Sequence, residues 1–268
     1  MLVALPRSVL VIVASSLLLI GFTTVPGCVQ GDRSAVARTD ARAKIVLGED
    51  LQLEPLTHDI WRHVSYTQLP SFGFTPANGL IVCAGHEAVL VDTPWNDDQT
   101  ARLCDWASRE LDARVTAVIV THAHGDCIGG LHEAHRRGAH SYALDKSVPI
   151  ARTRGDEIPQ NTFTETETLE ISGKILELRY VGAGHTVDNI VVWIPDEKLL
   201  FGGCLVRSAT ANSLGNTAEA DLVAWPATIR NLRQRYQEAN LIVPGHGAPG
   251  GLKMLSRTLE LLRQDGHE

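Results

Sequence analysis

The chain has 268 residues, with 24 basic side chains against 31 acidic ones and a net charge of −7, and no basic cluster breaks that balance. This excludes nucleic acid as a natural partner. Five cysteines, an odd count without regular spacing, argue against a disulfide framework.

The first segment reads as a targeting signal. Arg7 precedes SVLVIVASSLLLIGF, which carries no charge from Ser8 to Phe22. About fifteen apolar residues are short for a spanning helix, which needs about twenty. A positive start, an apolar centre and then small residues follow the order of a secretory signal. The stretch ends in V-P-G-C, which resembles a lipobox whose Cys28 is lipidated and becomes the new N-terminus. The expectation is an exported, periplasmic chain tethered as a lipoprotein; plain export with cleavage nearby is the alternative. Residues 29–50 are polar, lack an apolar period and read as a tether. Residues 51–268 remain, enough for one well-buried domain.

Within that domain, apolar runs of strand length recur between turn residues: GLIVC, EAVLVD, VTAVIV, KILELRYV, NIVVWI, KLLFGG and NLIVPG. Between the second and third, Asn96 to Leu111 carries Leu103, Trp106, Ala107 and Leu111 on one helical stripe, with Asn96 as N-cap. A short helix is predicted from Ile128 to Arg137. Trp225, Ile229, Leu232 and Tyr236 mark another, with Pro226 in its first turn. Leu252, Leu255, Leu259 and Leu262 mark the last. Hairpin-like early strands followed by strands alternating with helices give an α/β (α+β) class built in layers.

Polar residues with metal-ligand chemistry fall just after these runs. His122, His124 and Asp126 follow VTAVIV in THAHGD; His185 follows KILELRYVGAG; Cys204 ends KLLFGGC; His246 follows NLIVPG. Imidazole, thiolate and carboxylate are the donors that zinc accepts. Alternate residues of an extended segment point the same way, so His122 and His124 can reach one ion and Asp126 a second. An isolated H-x-H is a weak signal, but glycines flank every one of these positions, permitting tight turns and close backbone approach.

These segments, THAHGD, GAGHTVDNIVVW, GGCLVRS, SLGN and VPGHG with VDTPW upstream, resemble the metallo-β-lactamases, specifically the dizinc subclass with a cysteine ligand. The resemblance runs from about His58 to the C-terminus. It implies a four-layer αββα sandwich and two Zn2+ per chain, one on His122, His124 and His185, the other on Asp126, Cys204 and His246. It implies a monomeric enzyme that confers antibiotic resistance by opening the β-lactam ring of penicillins, cephalosporins and carbapenems. Hydroxide held by the zinc ions would attack the carbonyl, Asn216 would stabilise the oxyanion, and water oriented by Asp126 would deliver the proton. Arg207 stands where the family usually has lysine for the substrate carboxylate. Asp92 matches a buried aspartate beneath the histidine loop. Leu69, Pro70, Phe72 and Phe74 suit an apolar flap, with Trp95 of VDTPW also facing substrate.

Cys127 departs from the common pattern, as a tolerated neighbour or a thiol able to oxidise with Cys204. Other hydrolases of this fold, such as thioesterases and lactonases, usually have histidine after the aspartate, where this chain has Cys127. A non-catalytic exported zinc-binding protein is the other alternative. His58, His63, His86, His132, His135, His140 and His267 read as solvated or structural.

Overall fold

A computed structural model describes residues 44–267. Cys28 and most of the proposed tether lie outside the described residues.

An eight-stranded sheet runs in simple chain order: β1 (Ile45–Gly48), β2 (Leu51–Pro55), β3 (Ile60–Leu69), β4 (Gly73–Ala84), β5 (Glu87–Val91), β6 (Arg114–Val120), β7 (His140–Leu144) and β8 (Asn161–Phe163). Its first five strands form an antiparallel meander and the rest pair in parallel. A five-stranded sheet holds β9 (Thr166–Ile171), β10 (Lys174–Tyr180), β11 (Ile190–Ile194), β12 (Leu199–Gly203) and β13 (Leu241–Pro244), with β13 beside β12.

The apolar runs are continuous because both faces of each central strand are buried. Leu90, Val118 and Val120 point outward under α1 (Asp97–Glu110), α3 (Leu131–Arg136) and α4 (Ser147–Arg154), while Val89, Val91 and Ile119 point between the sheets. In the second sheet Val192 and Ile194 face inward, and Val191 and Trp193 pack under α5 (Trp225–Arg235) and α6 (Lys253–Gln264). The result is helix, sheet, sheet, helix: the expected αββα sandwich. Leu178 and Phe201 are fully buried between the sheets, and each such side chain contributes about 1.5–3 kcal/mol by leaving water.

Asn96 caps α1 as predicted, its side chain accepting from Gln99 N at 2.9 Å, and Pro226 occupies the first turn of α5. Three expectations need correction. The tether does not extend to residue 50, because Ile45 and Val46 pair with Leu53 and Gln52 and the fold has begun by β1. The predicted helix from Ile128 is two pieces, α2 (Gly125–Ile128) and α3, broken at Gly129 and Gly130. A Cβ at Gly129 would overlap the Trp95 carbonyl, and one at Gly130 the Thr100 hydroxyl, so the chain changes direction where it grazes the start of α1. Asp126 therefore does not continue an extended segment. It sits in the first turn of α2, where its carboxylate joins Cys204 and His246 while staying within reach of His122.

Candidate metal centre

Parallel pairing aligns the strand ends that carry the polar residues. Val91 of β5 is in register with Ile119 of β6, which sets Asp92 beside Thr121. Gly203 of β12 is in register with Pro244 of β13, which sets Cys204 beside the His246 loop. The Ile190 N–H donates to the Thr121 carbonyl at 2.9 Å and joins the two sheets at this rim. The close approach of the Cys204 and His246 loops requires glycine at 245, where a Cβ would overlap the Cys204 sulfur.

Three groups of ligand atoms result among the described residues: the two expected sets, and His122, Asp126 and Cys127, which shares a residue with each. His122 Nε2 and His124 Nδ1 lie 3.0 Å apart, and His124 Nδ1 and His185 Nε2 3.2 Å apart. Burial disfavours charge on His122 and His185: the His122 pKa is lowered to about 3, mainly by desolvation and then by His124, and His185 is lowered by burial and its histidine neighbours. The three rings bring one nitrogen each to a common point. In the second group, Cys204 Sγ lies 3.4 Å from Asp126 Oδ2 and 3.4 Å from His246 Nε2, and His246 Nε2 lies 3.2 Å from Asp126 Oδ2. Burial pushes the Asp126 carboxyl up, but the His246 hydrogen bond and the surrounding imidazoles outweigh it and hold it well below the usual range. Lone pairs and a carboxylate converging from buried positions fit divalent cations, and zinc takes this N, O and S donor set.

His246 and the histidine loop are held from behind, whereas His185 Nδ1 has no partner among the described residues. His246 Nδ1–H donates to the Pro76 carbonyl on β4 at 2.6 Å. Asp92 Oδ1 accepts from Thr121 N at 2.7 Å and Oδ2 from Thr121 Oγ1 at 2.8 Å, so its carboxylate reaches across to the next strand and is not spent on a local turn. Asp92 adopts a φ of 61°, rare for a residue with a side chain. The buried His63 braces that peptide, with Nε2 3.1 Å from the Asp92 carbonyl. Asp188 Oδ2 accepts from Ala123 N at 2.9 Å and from Ser147 Oγ at 2.8 Å, pinning the loop between the two histidines. Cys127 Sγ faces the far side of His122, 3.3 Å from Nδ1.

Above these groups opens a cleft of about 480 Å3, within the usual size of a small-molecule site. Leu69, Phe72, Trp95, His124, Asp126, His185, Arg207, Asn216 and His246 all line it, whereas Pro70 does not. His122, Cys204 and Asp92 are buried in its floor. Phe72 and Phe74, at the tip of the β3–β4 hairpin, are 55% and 57% exposed, unusual for aromatic side chains without something to cover. Arg207 points its guanidinium at the cleft with no hydrogen-bond partner among the described residues for its buried Nε. Asn216 accepts from Ala218 N at 3.2 Å through Oδ1, leaving its N–H donors uncommitted.

Residues 72–246 match the family model described as the metallo-beta-lactamase superfamily. The chain belongs to that family. It is 39% identical over 224 residues to a metallo-beta-lactamase type 2 of Bacteroides fragilis, covering 84% of this chain and 90% of the relative. A second relative of that description, from Bacillus cereus, is 37% identical over 234 residues, covering 86% and 90%. Among solved structures, a metallo-beta-lactamase from Pontibacter korlensis superposes with a TM-score of 0.77 at 39% identity, covering 80% of this chain and 99% of that one. The enzyme FIM-1 of Pseudomonas aeruginosa, solved in a mono-zinc form, superposes with a TM-score of 0.76 at 33% identity, covering 82% and 99%. The chain is therefore a metal-dependent hydrolase of this family.

Glu219, Arg154, Asp188 and Ser147 escaped the reading of the sequence. Asp188 sits inside the quoted GHTVDN motif, but its partners Ala123 and Ser147 are far away in sequence, and only the fold brings them together.

Proposed function

We propose that this chain opens the β-lactam ring of penicillins, cephalosporins and carbapenems with two zinc ions, and so confers antibiotic resistance. The observation that carries this reading is the pair of convergent ligand groups, His122/His124/His185 and Asp126/Cys204/His246, flooring a cleft lined by Arg207, whose Nε has no partner among the described residues. When bound, zinc polarises a carbonyl and makes a nucleophile available near pH 7 by lowering the pKa of water.

The chain's own residues then have distinct work. Arg207 anchors the substrate carboxylate, a charge-assisted and potentially bidentate contact. Asn216 uses its free N–H group on the carbonyl oxygen as charge develops there. Asp126, held anionic, orients the water that returns a proton to the lactam nitrogen. The hairpin bearing Leu69, Phe72 and Phe74, with Trp95 opposite, excludes water from the ring. Asp92 keeps the histidine loop in place through Thr121.

Hydrolysis of nitrocefin by purified, zinc-loaded protein, run beside a thioester and a lactone, tests the reading. Preference for either of those would favour the thioesterase or lactonase alternative, and no turnover of any would favour a zinc-binding protein without catalysis. Arg207→Ala is expected to raise KM for carboxylate-bearing substrates far more than it lowers kcat, since a charged hydrogen bond is worth about 1.5–3 kcal/mol. An unchanged KM would move the anchor elsewhere.

The proposed location is the periplasm, as a monomer tethered through lipid on Cys28. Among the described residues no helix is long and apolar enough to cross a membrane. Cys28→Ala is expected to shift the protein from the membrane to the soluble fraction; a wild type already soluble, with cleavage elsewhere, would remove the tether.

A further inference from the structure

Two charged side chains outside the ligand groups meet at the mouth of the cleft. Glu219, three residues after Asn216, places Oε2 2.9 Å from His124 Nε2. The same oxygen accepts from Arg154 Nη2 at 2.5 Å. Arg154, the last residue of α4, also donates from Nη1 to the Ala123 carbonyl at 2.9 Å, on the peptide between His122 and His124. Ala123 is thus gripped on both sides, its N–H by Asp188 and its carbonyl by Arg154. Side-chain exposures of 29% for Arg154 and 48% for Glu219 put the pair at the rim, over a His124 that is 14% exposed.

We propose that Arg154 and Glu219 are positioning residues that set His124 as a metal ligand and lock the loop carrying Asn216 to the histidine loop. A carboxylate on one ring nitrogen fixes the tautomer and presents the other nitrogen's lone pair to the metal. Here Glu219 Oε2 accepts from His124 Nε2–H, so the Nδ1 lone pair faces the His122 and His185 nitrogens. A lone half-exposed glutamate would swing between rotamers. Arg154 holds it with one arm and the ligand loop with the other, which a planar guanidinium does and a lysine does not. Because Glu219 and Asn216 share one loop, the same contact sets the distance from Asn216 to the metal floor. The proposal rests on the metal reading of the three histidines.

The test measures metal affinity by competition with a chromophoric chelator, together with the visible spectrum of the cobalt-substituted protein. Glu219→Ala is expected to weaken the histidine group's affinity about 10–100-fold and to shift the cobalt bands. Glu219→Gln keeps an oxygen that accepts from His124 and should restore affinity to within a few fold of wild type. Arg154→Ala should fall between, and adding it to Glu219→Ala should cost little more, because the two act as one unit. Wild-type affinity and spectrum in Glu219→Ala would overturn the proposal, as would equal impairment of the alanine and glutamine variants. If His124→Ala itself leaves affinity and spectrum untouched, the metal reading has failed and takes the clamp with it.

Discussion

Prolonged dialysis against dipicolinate is expected to abolish β-lactam hydrolysis, and added zinc to restore it as the metal content approaches two ions per chain. The argument starts from charge. Burial disfavours the charged form of His122 and of His185, which leaves each ring a lone pair to give to a cation. Asp126 is held anionic beside His246. Such a floor is a donor set for a cation, and once the metal is gone it holds no Lewis acid to polarise a lactam carbonyl. Arg207 and Asn216 would still bind the substrate and have nothing to deliver to it. The expected loss is therefore in kcat and complete, unlike the KM effect at Arg207. Elemental analysis provides the check, and active protein with no bound metal would refute the reading. A stoichiometry near one with full activity would leave the hydrolase and remove the second ion.

The parts of this architecture visible in the sequence are those where burial is two-sided. The cores of EAVLVD, VTAVIV and KLLFGG, namely AVLV, AVIV and LLF, are apolar because both faces are covered, and the ligand residues stand out after them as abrupt polar endings. The parts that stayed hidden break that pattern. Strand β3 reads IWRHVSYTQL, with Arg62 and His63 buried inside it, where Arg62 pairs with Glu54 and donates to the Gly247 carbonyl and His63 Nε2 lies against the Asp92 carbonyl. Strand β9, TETLEI, buries only Ile171. Helix α4, SVPIARTR, buries Ser147 and Ala151 and leaves Arg154 for the cleft, so it shows no apolar stripe. The same reasoning covers the site. Ligands that follow strands were legible, but Arg154 and Glu219 are 65 residues apart and meet only through the fold.

Cys204→Ala is expected to lose the second metal ion and nearly all activity, while Cys127→Ser keeps both. The two thiols are neighbours: a hydrogen bond from Cys127 is the main reason the Cys204 thiol is held below its usual pKa, against the opposing effect of burial. Burial chiefly drives Cys127 the other way, keeping it a protonated thiol. Geometry divides their roles further. Cys204 Sγ sits among Asp126 and His246, whereas Cys127 Sγ backs onto His122 Nδ1 and the Thr121 hydroxyl. Losing Cys204 removes a negative charge and a coordinating atom together, since a zinc-bound thiol is deprotonated outright. A serine hydroxyl at 127 still accepts from His122, so the first group keeps its support. The contact between the thiols has a chemical consequence in metal-free protein. Peroxide would join them as a disulfide, two thiols giving up two protons and two electrons while the peroxide becomes two waters. Zinc on Cys204 should block this, and intact mass should show the loss of two hydrogens only in zinc-depleted wild type and never in Cys127→Ser. Full zinc content and near-normal turnover in Cys204→Ala would undo the ligand assignment, and with it the feature that best separates this chain from thioesterases of the same fold.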